Sequence, residues 1–257
     1  LHSMLPVFFQ NCPPTQTEDL LSSLSTVAEI SPSFIESFVG KIVPILCQIA
    51  TNQENADTTR TKAMFCLVSI SEGNPQLCQS LDLFHSIVFQ ALISVASEID
   101  DDAPWTYDYN NISPYQTALD SLGYIFSSFD ICTIYEPIHN LVIQLLQSDI
   151  SWQQAYAVIS SMAELNRIIL SKLFESVDLQ VGLFSSVAKF LTLETHPRVR
   201  CVVYNFIKKL SQKGILNPVF ESSAILINPL RSLMFNDDFS VEIVGINQEA
   251  SRFYIKT

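Results

Sequence analysis

"THPRVRCVVYNFIKKLSQ", residues 195–212, is the stretch on which the reading of the fold turns. Val199, Val203, Phe206, Ile207 and Leu210 recur at steps of three and four, the spacing that lines apolar side chains along one face of a helix. Pro197 sits where a first helical turn accepts proline, because the N–H it lacks has no intrahelical partner there. Arg198 and Arg200 interrupt the stripe, and the entry turn beside them gives both a structural use before any partner is invoked.

The same period continues outward from this segment. Phe84, Ile87, Val88, Ala91, Leu92, Val95 and Ala96 predict one helix face over 83–97. Ser113-Pro114 predicts an N-cap followed by proline at the first helical position, and Tyr115, Ala118, Leu119, Leu122 and Phe126 repeat the stripe. Ile138, Leu141, Val142 and Leu145 predict a further helix; Ser151 caps another that carries Ala155, Ile159, Met162 and Ala163. First helices of successive pairs start near 17, 57, 114, 151, 198 and 239, at intervals of about 40, 57, 37, 47 and 41 residues. Removing an interruption of roughly 16 residues at 98–113 returns the outlier to about 41. Helix pairs repeating at that length are the pattern of HEAT and armadillo arrays, in which each pair buries its stripe against its neighbours. The expectation is an all-α HEAT-repeat solenoid over 1–257, with helix pairs near 17–52, 57–97, 114–148, 151–193 and 198–235 and partial repeats at both ends.

Composition agrees with helices and narrows the function. The 257 residues are 48% hydrophobic, enough to bury a core, and only 6 are glycine, which disfavours turn-rich sheets. A net charge of −12 excludes a nucleic-acid surface, which needs clustered Lys and Arg, and favours a basic protein partner. Cys12, Cys47, Cys66, Cys78, Cys132 and Cys201 show no CxxC and mostly apolar neighbours, so they read as reduced core residues. His2, His85, His139 and His196 are isolated from one another and from ligand-spaced Cys, Asp or Glu; no metal or other cofactor is expected. The longest apolar stretch, 83–97, is shorter than the ~20 residues of a membrane span, so no membrane insertion is expected. Glycines are scattered rather than gathered in a phosphate-cradling loop, and no catalytic motif is present; the chain reads as a binding protein, not an enzyme. It begins at Leu1 rather than methionine, which reads as a piece of a longer protein.

The interruption, "SEIDDDAPWTYDYNNISPYQTALDSLGYIF" (97–126), carries the candidate binding residues. Asp100, Asp101, Asp102 and Asp108 supply carboxylates, while Trp105, Tyr107 and Tyr109 offer aromatic faces that can stack on Lys or Arg. Together they form a plausible clamp for a basic segment. The competing reading is structural: Trp105 pins the insertion to the solenoid, and the aspartates make a solvated turn.

Four pieces in order, "DDDAPW", "ALDSLGYIF", "LLQSDISWQQAYAVISSMAEL" and "THPRVRCVVYNFIKKLSQ", resemble the importin-beta (karyopherin-beta) nuclear transport receptors, most closely the importin-five-like branch. Pro197, Val199 and Arg200 match the turn and Val-Arg pair that open a helix in HEAT repeats. Gln153 and Gln154 stand where that branch usually has basic residues, and the acidic insertion is shorter than is typical, so the chain resembles a divergent member, over the middle of a longer receptor. The resemblance implies a receptor segment shared between cytoplasm and nucleus that binds basic cargo or import signals on a concave acidic surface. It also implies release by Ran-GTP in the full-length protein and nucleoporin repeats as further partners. A HEAT-repeat scaffold for a cytosolic complex is the other reading, because fold does not fix function.

Overall fold

The computed structural model describes residues 14–81, 84–103, 113–164, 177–192, 194–212 and 221–234, and among these every regular element is helical. The chain divides into two compact units, Leu1–Ile138 and His139–Thr257.

In the first unit, α1 (Pro14–Ile30), the short α2 (Pro32–Ile35) and α3 (Val39–Thr51) are followed by α4 (Asp57–Gly73) and the short α5 (Pro75–Ser80). A π-helical turn, Phe84–Val88, leads into α6 (Phe89–Ala96); α7 (Pro114–Ser127) follows the interruption, and α8 (Ile131–Gln147) begins in this unit and ends in the second. Packing runs between neighbours in the series: α1 on α4 and α4 on α7 along one layer, α3 on α6 along the other, with α3 against α4 and α6 against α7 joining the layers. That is how a helical repeat buries stripes which no single pair can cover alone. The core sits between the layers, with Phe38, Leu46, Met64, Leu67, Phe89 and Phe126 fully buried. Gly73, at the end of α4, permits a close approach: a Cβ there would stand 2.6 Å from the carbonyl oxygen of Ala28.

The second unit holds α9 (Trp152–Glu164), α10 (Val177–Ala188), α11 (Pro197–Gln212) and α12 (Glu221–Met234). Here α9 packs on α11 and α10 on α12, the same first-on-first and second-on-second order. Val199, Val203, Phe206, Ile207 and Leu210 are all buried, as the stripe predicts. Ser151 caps α9 reciprocally: its Oγ accepts from the Gln154 N–H at 3.2 Å, and its own N–H donates to Gln154 Oε1 at 3.1 Å. Gln154 is therefore half of a capping box.

Three local expectations change. The helix expected without a break from Leu83 starts with the π turn; the extra residue per turn leaves Ile87 37% exposed, while Phe89 and Ile93, outside the predicted stripe, are buried. At α7, Ser113 and Pro114 occupy the predicted N-cap and first positions, but the Ser113 hydroxyl meets Gln116 Oε1 at 3.2 Å instead of a backbone N–H. Cys132 is exposed and Cys201 half-buried, against the reading of both as core, because each lies off the apolar stripe of its helix. Burial does push the thiols of Cys47, Cys66 and Cys78 up to about 12. The helices α3, α8 and α12 each contain an internal proline, Pro44, Pro137 and Pro229, and so each lacks one intrahelical hydrogen bond.

Between α1 and α4 the join is polar. Glu18 Oε1 accepts hydrogen bonds from the hydroxyls of Thr58 at 2.6 Å and Thr59 at 3.1 Å, and its Oε2 accepts from Lys62 Nζ at 3.0 Å. The Thr58 bond, then that from Lys62, hold the Glu18 carboxyl below its ordinary value, against a smaller opposing effect of desolvation. A carboxyl depressed by folding stabilises above its unfolded pKa, and that stabilisation disappears as pH falls through the folded value. Melting temperature measured from neutral to acid pH should therefore fall less steeply on the acid side for Glu18→Gln than for the parent chain; parallel curves would contradict this role.

Candidate functional site: the acidic turn after α6

The acidic turn rises from an ordered base. The Ser97 N–H closes α6 on the carbonyls of Ile93 and Ser94, the Glu98 N–H follows on Val95 O at 3.1 Å, and the Ser97 hydroxyl donates to Ile93 O at 2.7 Å. Ile99 is 2% exposed, so the chain is pinned one residue before the aspartates begin. Asp100, Asp101 and Asp102 then lie at the surface, and the Ala103 N–H reaches back to Asp100 O at 3.2 Å to shape the turn. Three carboxylates thus leave a fixed stem into solvent, where they can attract cations. Trp105, Tyr107, Tyr109 and Asp108, the rest of the expected clamp, lie outside the described residues.

Beneath the turn lies a group that sequence reasoning missed. Arg60, in the first turn of α4, is 4% exposed. Its Nε donates to Ala50 O at 2.8 Å, at the end of α3, and its Nη2 reaches both oxygens of Glu98 at 2.7 and 2.5 Å. One guanidinium therefore ties together the end of α3, the start of α4 and the stem of the acidic turn. The partners are separated by 38 residues, and no local pattern pairs them.

Arg200 occupies the same fourth position of α11 that Arg60 occupies in α4. It is buried, and its Nη1 donates to the carbonyls of Thr192, at 3.4 Å, and Thr195 in the preceding turn. The structural use expected of Arg200 is what its bonds show. Arg198, also 4% exposed, faces inward as well.

Two further surfaces bear on binding. The exposed positions of the second helices are rich in neutral amides, Gln48, Gln90, Asn140, Gln144 and Asn228, while the carboxylates described on those helices are Glu136 and Asp178. Most described carboxylates belong instead to first helices and turns. In the second unit, an open groove of about 350 Å³ is lined by Asp149, Trp152, Lys189, Phe190, Glu194 and His196 among others. Its aromatic faces are already engaged: Trp152 stacks on His196 with centroids 3.9 Å apart, and Lys189 Nζ lies 4.9 Å from the Phe190 ring centre. No group of three or more His, Cys, Asp or Glu side chains among the described residues is placed to hold a metal ion, and no described helix is long and apolar enough to cross a membrane.

Helices that pack first on first and second on second among the described residues, with an arginine at the fourth position of two first helices, have the fold of a HEAT-repeat α-solenoid, and solved structures share it. Kap121p bound to RanGTP superposes with a TM-score of 0.66 at 16% identity, over 96% of this chain and 29% of that one. Kap121p bound to Nup53p gives 0.62 at 15% identity, over 96% and 28%. The importin repeat matches residues 52–113, from the end of α3 through the acidic turn. Importin subunit beta-3 of Saccharomyces cerevisiae (strain ATCC 204508 / S288c) is 21% identical over 224 residues, 82% of this chain and 20% of that protein. Residues 52–113 thus match an importin repeat and the solved structures share the fold, in keeping with the quoted motifs. The chain spans about a fifth of the curated relative and under a third of the solved ones.

Proposed function

We propose that this chain is the cargo-facing part of a nuclear import receptor that shuttles between cytoplasm and nucleus, and that Asp100, Asp101 and Asp102 help to capture a basic segment of the cargo. The observation that carries this is the overlap of the importin repeat, 52–113, with an exposed acidic turn on a fixed stem. The known complexes of Kap121p with RanGTP, with Pho4p and with Nup53p support Ran-GTP, protein cargo and nucleoporins as partners of the complete receptor. Trp105, Tyr107 and Asp108 complete the clamp in this reading. Binding and release do the work, with no catalytic step and no cofactor.

Exposed carboxylates act modestly at equilibrium, each contributing about 0.2–1 kcal/mol, and are screened beyond a Debye length of roughly 8 Å at physiological salt. Their main effect is on encounter. Replacing all three aspartates by asparagine should slow association of a Lys/Arg-rich cargo with the complete receptor at low salt and matter little at high salt, measured by stopped-flow fluorescence. Unchanged rates and salt dependence for every basic cargo tested would remove the turn from the binding surface.

A further inference from the structure

We propose that Arg60 is a positioning residue for cargo capture: by clamping Glu98 it sets where the acidic turn stands, and so sets how well Asp100, Asp101 and Asp102 attract a basic segment. This deepens the reading of the turn given above and rests on it.

The case is geometric. Asp100 follows Glu98 by two residues, and only buried Ile99 separates the clamped carboxylate from the acidic run. Arg60 is itself anchored, through Nε, to the last turn of α3, so the turn takes its position from the preceding helix pair as well as from its own. Lysine in place of Arg60 keeps the charge but offers one ammonium where the guanidinium spans Ala50 O and both Glu98 oxygens. Aspartate in place of Glu98 also keeps the charge, and it is one methylene too short to meet Nη2 in place. Neither change alters net charge, so an effect on encounter comes from where the aspartates stand.

The test is a double-mutant cycle in the complete receptor, with a fluorescently labelled Lys/Arg-rich peptide as probe at low salt. Arg60→Lys should slow association about threefold in the parent background and leave it unchanged when Asp100, Asp101 and Asp102 are already asparagine. Glu98→Asp should give the same pattern, and it serves in place of Arg60→Lys if that variant proves unfolded by circular dichroism. Equal slowing in both backgrounds would assign Arg60 to general stability and overturn the proposal. If the triple-asparagine variant slows capture while Arg60→Lys and Glu98→Asp do not, the acidic turn keeps its function and the positioning role falls. An unaffected triple-asparagine variant would overturn both.

Discussion

Phe126→Ala is expected to destabilise the chain by about 3–5 kcal/mol, a large part of a typical folding free energy. Phe126 is fully buried on α7, edge-on to Phe89 of α6 at 6.0 Å and to Phe129 at 5.7 Å between centroids. Truncation removes both aromatic contacts and leaves a cavity where two layers meet. Because a solenoid couples mainly through adjacent repeats, hydrogen exchange should accelerate most in α4, α6 and α7 and fall off with distance along the series. A loss below about 1 kcal/mol, or uniform acceleration along the chain, would contradict the packing described.

Gly73→Val is expected to cost about 1–3 kcal/mol although it adds apolar surface. The new Cβ would meet the Ala28 carbonyl oxygen at 2.6 Å and Pro32 Cγ at 3.3 Å, and a backbone oxygen within a helix cannot rotate aside. Either α1 and α4 separate or the end of α4 unwinds, and each outcome disturbs the bond from Asn74 Nδ2 to Pro32 O. Gly182 supplies the contrast. It lies within α10, and a Cβ added there would meet nothing within 4 Å, so Gly182→Ala should stabilise by up to about 1 kcal/mol through helix propensity. Thermal melts of both variants give opposite signs if the close approach at Gly73 is real; stabilisation by Gly73→Val would contradict it.

Much of the helical order was legible because burial imposes a period on sequence. Val199 through Leu210 announced their face, and Ser151 announced its cap, while the part Gln154 plays in it appears only in the structure. Arg200 was legible through its Pro-Arg-Val-Arg setting, since an arginine one turn into a helix is within reach of the preceding carbonyls. Periodicity fails where the backbone departs from 3.6 residues per turn, as at the π turn that exposes Ile87. It is also silent on pairings between distant segments. Arg60 with Glu98 and Trp152 with His196 depend on how successive repeats register, which single-helix spacing does not encode. The acidic turn was legible as charge, but its stem was not, because Glu98 reads like any solvated carboxylate until Arg60 is placed beneath it.

The central proposal, that this chain is part of an import receptor, is tested most directly by cargo release. A labelled Lys/Arg-rich cargo bound to the complete receptor should dissociate when Ran-GTP is added and remain bound when Ran-GDP is added at the same concentration. A basic partner that stays bound with either form of Ran would contradict transport and leave a HEAT-repeat scaffold as the function.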